Sequence, residues 1–391
     1  MSVVEASVVI PCLNEEATIG VCVGKAMEGL RQAGLAGEVV VADNGSTDRS
    51  AAIARDGGAR VVPCAARGYG AALKCGIGAA QGRWLVMGDA DDTYDFLQLP
   101  CLLEPLRRNA ADLVMGSRLR GGLRPGAMPW LHRWVGTPVM TWLLNRFYGT
   151  RISDVNCGMR DFTADAARRM SLQCDGMEFA SEMVIKAARA RLRIVEVPID
   201  YHPAVKARKA KLRTFRDGWR HLRFMLVLCP QWLFVIPGLL LAVVGLACSA
   251  VLFSGSVTIG GVPLGLSAAL ATCALVLVGL QVAFFGVFAE AMTASWGLGA
   301  GDPVSGWLRR RFTLERGILT GALVMAAGLL LGGVALARLL AVSQPGAPVN
   351  VPVTKLAIAS VTCVLLGIQV VSASFLLSLF DLAAPRQPKA E

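Results

Sequence analysis

Trp84-Leu85-Val86-Met87-Gly88-Asp89-Ala90-Asp91 is an apolar run that ends on two carboxylates separated by one small residue. Four uncharged residues closed by Gly read as a strand buried on both faces, with the acids just past its carboxyl end. The same pattern recurs outward in both directions. Short β-branched or apolar runs at 7–10, 38–41, 60–62, 83–87 and 112–115 alternate with helical patterns at 16–32, 47–55, 69–80 and 96–108. That alternation implies parallel βαβ units and a sheet covered on both faces, which binds ligands beyond the carboxyl ends of its strands. Four polar clusters fall at those ends: Asn14-Glu15-Glu16, Asp43-Asn44-Gly45-Ser46, Asp89-Ala90-Asp91-Asp92 and Gly116-Ser117-Arg118. One would be an ordinary loop; four on one rim make a site.

The rest of the chain differs in kind. Over 391 residues the composition is 54% hydrophobic with a mean hydropathy of +0.53, and the apolar excess lies after about residue 229. Apolar runs at 229–253, 264–293, 317–342 and 355–379 each exceed the ~20 residues needed to cross a bilayer. The net charge of +11 is also localised, since 206–223 carries eight basic residues against the single acid Asp217, a net of seven. A basic segment serves nucleic acid or anionic lipid, and its place beside a membrane span favours lipid and argues against nucleic acid. Within it Lys209, Arg213, Arg216, Arg220 and Arg223 form one helical face, and Leu212, Phe215, Trp219, Leu222 and Leu226 the other. Such a helix suits the headgroup layer; the alternative is a helix packed on the globular core with a solvated basic face.

Arg309, Arg310, Arg311 and Arg316 lie between the second and third runs, whereas 254–263 is uncharged. The positive-inside rule then puts the globular half and both termini in the cytoplasm of a multi-pass cell-membrane protein, with Arg338 and Lys355 opposing weakly. Eleven cysteines without Cys-x-x-Cys spacing read as reduced thiols packed as small core residues. The turn at Pro11-Cys12-Leu13-Asn14 comes too early for a signal peptide. The expected division is a catalytic domain over 1–205, a basic juxtamembrane helix over 206–228 and four transmembrane helices over 229–391.

Asp89 and Asp91 supply hard oxygen ligands that leave places for substrate phosphates on Mg²⁺ or Mn²⁺. Asp43 at a strand end suits a nucleobase N–H, and Thr47 is placed to cap the following helix. Gly68-Tyr69-Gly70 opens like a dinucleotide fingerprint, but Leu73 replaces its third glycine and it follows the third strand. No Gly-Lys-Ser/Thr phosphate loop occurs.

Val9-Ile10-Pro11-Cys12-Leu13-Asn14-Glu15-Glu16, Asp43-Asn44-Gly45-Ser46-Thr47-Asp48, Gly68-Tyr69-Gly70-Ala71-Ala72, Asp89-Ala90-Asp91, Gly116-Ser117-Arg118, Asp154-Val155-Asn156-Cys157-Gly158-Met159-Arg160 and Val197-Pro198-Ile199 occur in that order. Together, over roughly residues 5–225, they resemble family 2 glycosyltransferases, in the branch of dolichyl-phosphate mannose synthase and bacterial polyprenyl-phosphate sugar synthases. The resemblance implies an α/β GT-A fold, Rossmann-like with a mostly parallel sheet, followed by an all-α transmembrane domain of four helices. It implies an inverting transfer from a GDP- or UDP-sugar donor to a polyprenyl phosphate at the cytoplasmic membrane face. Pro11, Asn14, Glu16, Asp43 and Ala90 would line the nucleotide-sugar pocket, and Asp89 and Asp91 would hold the metal. Arg118, Arg133 and Lys211 would meet the acceptor phosphate. Asp154 and Arg160 would sit on the loop that closes the site. Arg208-Lys209-Ala210-Lys211-Leu212 departs from the family's pattern by lacking its Gly and Ser.

The chemistry fits independently. A phosphate monoester is already anionic at neutral pH, so it needs cations and in-line positioning rather than a base. His132, His202 and His221 are the only histidines, and none lies in a strand-end cluster. One alternative is a sugar-hydroxyl acceptor, as in a processive synthase; Trp130-Leu131-His132-Arg133-Trp134 lacks the Gln of that group's Gln-x-x-Arg-Trp. The other is a non-catalytic membrane protein that handles lipid-linked sugars. The sugar, the nucleotide base, the polyprenyl length and the oligomeric state are left open by the sequence.

Overall fold

The computed structural model describes residues 4–204, 214–227, 229–255, 257–260, 262–295, 313–342 and 351–383. The chain divides into two compact units, Met1–Met225 and Leu226–Glu391. In the first unit the strands are β1 (Ala6–Cys12), β2 (Gly37–Asp43), β3 (Arg60–Pro63), β4 (Trp84–Met87), β5 (Leu113–Ser117), β6 (Arg160–Thr163) and β7 (Ile194–Pro198). Its helices are α1 (Ile19–Gln32), α2 (Ser50–Asp56), α3 (Tyr69–Ala79), α4 (Leu99–Arg107), α5 (Thr137–Tyr148), α6 (Ala164–Met170), α7 (Phe179–Arg189) and α8 (Thr214–Val227).

The strand order is β3-β2-β1-β4-β6-β5-β7. Every neighbouring pair is parallel except those of β6, which runs antiparallel to β4 and β5. The sheet is therefore mostly parallel, as expected of a GT-A-like domain. On one face Val8, Ile10, Val39, Val41, Val86 and Val114 are buried against Leu30 of α1 and Leu99, Leu102, Leu103 and Leu106 of α4. On the other, α3 approaches so closely that a Cβ on Gly76 would stand 2.4 Å from Val9 Cγ1. Strand ends align across the sheet, with Cys12 opposite Asp43 and Ser117 opposite Pro198. The reversed sense of β6 brings its first residue, Arg160, opposite Met87 and Met115, so a residue that begins a strand lies at the same rim.

Two expectations need correction. Helices α1 and α2 start three residues later than the pattern at 16–32 and 47–55 indicated, because the side chains at those positions tie the two loops together instead. Thr47 is not a cap: its hydroxyl meets Asn14 Oδ1 at 3.3 Å, and α2 has Arg49 before it with no side-chain cap. The cysteines are not all reduced either, since Cys64 and Cys75, 6.1 Å apart at Cα, form a disulfide between the end of β3 and α3. Cys101 and Cys248 are exposed rather than packed in a core.

The second unit holds α9 (Ile236–Ser254), α10 (Leu266–Ser295), α11 (Leu314–Val342) and α12 (Val351–Ala383). Their apolar spans run 24, 28, 28 and 30 residues at mean hydropathy 2.2 to 2.5, long enough to cross a bilayer. Helices α9 and α10 are joined through a short hairpin of β8 (Val257–Ile259) and β9 (Val262–Leu264). Small residues let the helix backbones meet. A Cβ on Gly367 would lie 2.5 Å from Gly321 O, and one on Gly279 would lie 2.4 Å from Ala242 N. Lys355 Nζ donates to Leu252 O at 2.5 Å and Gly255 O at 3.2 Å, capping the carbonyl end of α9. That contact explains a cation on the side where the charge rule disfavours one.

Candidate active site

Three loops at the ends of β1, β2 and β4 build the first half of the rim. Asn14, at φ 53°, accepts at Oδ1 from Thr47 N at 2.8 Å, and its own N–H donates to Ser46 Oγ at 3.0 Å. Glu16 N–H donates to Asp48 Oδ2 at 3.2 Å, and Glu16 Oε2 accepts from Arg49 N at 3.2 Å. Asp43 Oδ1 accepts from Ser46 N at 3.1 Å. Asn14, Glu16 and Asp43 thus share one zipped pair of loops, and half-buried Pro11 lies at the strand end beneath them. Buried Asn44 accepts from Gly68 N at 2.8 Å and donates to Ala66 O at 2.6 Å. Gly68 is required there: its φ is +137° and a Cβ would stand 2.2 Å from Asp175 O.

The Asp89-Ala90-Asp91 turn is fixed on each side. Thr18 Oγ1 donates to Ala90 O at 2.7 Å. Tyr69 Oη donates to Asp89 Oδ1 at 2.9 Å, while Asp91 Oδ1 accepts from Thr93 Oγ1 at 2.6 Å and Thr93 N at 3.2 Å. Lys25 Nζ pairs with Asp92 at 2.8 Å and Asp95 at 3.8 Å, which holds the following turn. Two carboxylates one residue apart, each oriented by a hydroxyl, fit a divalent cation that takes its remaining ligands from phosphate and water. Among the described residues no third His, Cys, Asp or Glu joins them to make a closed metal cage.

The second half of the rim centres on Arg118, which follows β5 and is 7% exposed. Its Nε and Nη2 donate to Asp154 Oδ2 and Oδ1 at 2.7 and 2.8 Å, and its backbone N–H reaches Oδ2 at 3.2 Å. Burial opposes its charge, but neighbouring Tyr94 and Asp154 hold the guanidinium's pKa well above its ordinary value. Its Cζ also stands 5.1 Å from the Tyr201 ring centroid. The loop from Asp154 then runs to the metal-side carboxylate. Gly158 N–H donates to Tyr94 Oη at 2.7 Å, and a Cβ on Gly158 would lie 3.0 Å from Asp89 Oδ2. One short loop therefore touches both halves.

Arg160 is fully buried. It donates to three carbonyls, Cys157 O at 3.0 Å, Val155 O at 2.8 Å and Ala180 O at 2.5 Å, so it staples the loop to α7. Burial lowers its pKa. The loop is also tied to α5, because Val155 N–H donates to Thr141 Oγ1 at 3.2 Å and Asn156 Nδ2 to Thr137 Oγ1 at 3.3 Å. Just before α5, exposed Arg133 lies beside the Trp134 ring at 5.1 Å, separate from the Arg118–Asp154 pair. Trp130, Trp134 and Trp142 are 70%, 60% and 63% exposed, with Val139 among them at 49%. Lys211 lies outside the described residues. Tyr69, Thr93, Tyr94 and Glu196 are site residues that the sequence alone did not single out. Tyr69 had a usable signal, since its glycine-flanked position opens a helix at the rim.

Comparison with known proteins comes to the same region. The family described as Glycosyl transferase family 2 matches residues 7–176, and Glycosyltransferase family 2 C-terminal transmembrane region matches residues 287–381. A low-salt glycan biosynthesis hexosyltransferase of Haloferax volcanii is 43% identical over 371 residues, covering 95% of this chain and 88% of that protein. A dolichyl-phosphate hexose transferase of the same organism is 33% identical over 181 residues, covering 46% of this chain and 76% of its own. Among solved structures, glucosyl-3-phosphoglycerate synthase of Mycobacterium tuberculosis, in complex with Mn²⁺, UDP and glucosyl-3-phosphoglycerate, is 25% identical. It covers 57% of this chain and 80% of its own, with a TM-score of 0.47.

Proposed function

The chain belongs to glycosyltransferase family 2, and we propose that it moves a hexose from a nucleotide-sugar donor to a phosphorylated polyprenyl lipid at the cytoplasmic membrane face. The observation that carries the lipid acceptor is the tryptophan face of α5 and the turn before it. Three exposed Trp side chains are an unfavourable surface in water, and an interfacial layer accepts them. The same helix hydrogen-bonds the Asp154 loop, so an apolar face and a buried arginine belong to one wall of the site.

The donor nucleotide lies along Pro11, Asn14, Glu16, Asp43 and Ala90, and its diphosphate toward Asp89 and Asp91. A divalent cation bound there supplies charge neutralisation on the leaving diphosphate. Arg118 and Arg133 orient the lipid phosphate. One phosphate oxygen attacks the anomeric carbon as the bond to the nucleotide diphosphate breaks, which inverts that centre and moves no proton. The pairing of Asp154 with Arg118 at 2.7 Å supports this acceptor over a sugar hydroxyl. A carboxylate held in a bidentate ion pair is a poor base, and a hydroxyl needs one.

The test is a panel of UDP- and GDP-hexoses with undecaprenyl or dolichyl phosphate, followed by organic extraction. We expect one donor to give a β-linked, organic-soluble product from an α-linked donor. Transfer confined to sugar hydroxyls, with no lipid-phosphate product, would overturn the reading.

A further inference from the structure

We propose that Glu196 is a positioning residue that sets Asp154, and through it Arg118, on the acceptor side of the site. The proposal rests on the reading of Arg118 given above. Glu196 lies on β7 opposite Met115 of β5, two residues before the rim. Its side chain is only 3% exposed. Oε1 accepts from Ser153 N at 2.6 Å, Ser153 Oγ at 3.1 Å and Asp154 N at 3.2 Å. Two consecutive backbone N–H groups converging on one carboxylate oxygen fix the plane of the peptide that carries Asp154.

The rest of the surroundings point the same way. Ser153 Oγ lies 2.7 Å from Ser117 Oγ, and Arg120 N–H donates to Ser117 Oγ at 3.2 Å. Glu196 Oε2 makes no hydrogen bond among the described residues and faces Arg120 Nη1 at 3.2 Å in an ionic contact. It also borders a cavity of about 290 Å³ that Arg120, Tyr148, Thr150 and Arg151 help to line. Glu196 is therefore joined to residues on both sides of Arg118, Ser117 through Ser153 and Arg120 directly, and to its ion-pair partner Asp154. A carboxylate buried only to stabilise the fold would be poorly placed here, facing a cavity with one oxygen unbonded. Its placement is explained if the geometry of Asp154 and Arg118 depends on it, because a charge pair aimed at a phosphate must be held to a fraction of an ångström.

The experiment uses the full-length enzyme with its donor and polyprenyl phosphate. Glu196→Ala should raise the acceptor KM about tenfold or more, with donor nucleotide affinity unchanged within about twofold. Glu196→Gln keeps a carbonyl oxygen for the two N–H groups and should stay within about threefold of wild type. On an Arg118→Ala background Glu196→Ala should add less than about twofold, since both act through one contact. Losses that multiply, or an equal loss of donor binding, overturn the proposal. If Glu196→Ala does not fold, Glu196→Asp, one methylene too short to span both N–H groups, must still raise acceptor KM more than Glu196→Gln. Wild-type enzyme inactive on every polyprenyl phosphate would sink the acceptor reading itself. Wild-type activity with an unaffected Glu196→Ala sinks only this inference.

Discussion

Tyr69 Oη donates to Asp89 Oδ1 at 2.9 Å, and burial together with the charge of Asp89 holds its pKa well above 10. It is therefore a neutral donor at working pH, and it orients the Asp89 carboxylate toward the place a cation would take. Tyr69→Phe should lower turnover about tenfold, the worth of one hydrogen bond to a charged group, and should raise the Mg²⁺ or Mn²⁺ concentration needed for half activity. An unchanged metal requirement would remove Tyr69 from the cation site. Asp161 makes the opposite case. Both its oxygens are buried without a hydrogen-bond partner among the described residues, and burial alone pushes its carboxyl well above the usual carboxylate range. The folded protein then holds a proton that the unfolded chain releases above about pH 4. The penalty is absent below that pH and grows as pH rises toward the folded-state pKa, by at most ~1.4 kcal/mol per pH unit. Asp161→Asn should flatten this slope, so its gain in Tm over wild type should be larger at pH 8 than at pH 5. A constant difference across that range would mean that Asp161 is ionised in the fold. Neither residue was legible in the sequence as what it is. Tyr69 sits in a glycine stretch whose only known template did not fit, and nothing local marks Asp161 as buried.

At the scale of elements the strand-end clusters were readable because each lies within a few residues of its own strand. The Arg118–Asp154 pair was not, because 36 residues separate its members and only the placement of β6 and β5 side by side joins their loops. Strand β6 itself escaped the pattern: Arg160-Asp161 puts two charges at its start, although both are fully buried. Helix α5 presents the reverse problem, an apolar surface that a soluble helix would bury. If that surface meets lipid, its role is to hold the site at the depth of the acceptor phosphate. Trp130→Glu combined with Trp134→Glu should cut activity on long-chain polyprenyl phosphate about tenfold or more, while a short water-soluble acceptor is affected far less. Thermal unfolding in detergent should stay within a few degrees of wild type. Equal loss with both acceptors would indicate damage to the Asp154 loop rather than loss of a lipid contact.

Four spans in the whole molecule impose a parity that any orientation must obey. An even number of crossings returns the chain to its starting side, so the unit before α9 and the segment after α12 share one face. The β8–β9 hairpin is one crossing away and belongs to the other. The proposed side for the catalytic unit is the cytoplasm, where nucleotide sugars are made and where the arginine-rich segment before α11 is favoured. Of that segment only Arg316 falls within the described residues, so charge alone does not decide the matter. Thiol labelling reads it directly. Cys101 on α4 is exposed in the catalytic unit, while Cys248 lies within the α9 span. A Cβ added to Gly260 in the hairpin turn would meet nothing within 4 Å. Gly260→Cys therefore provides the second reporter, although the φ of +57° makes a side chain there mildly strained. A membrane-impermeant maleimide should label Cys101 in inside-out vesicles and not in sealed right-side-out ones. The Gly260→Cys thiol should show the opposite pattern. If both sites label from the same side, the four-span reading fails. If each labels from the side opposite to that expected, the spans stand and the catalytic unit faces outward, where a nucleotide-sugar donor would have to be supplied from outside the cell.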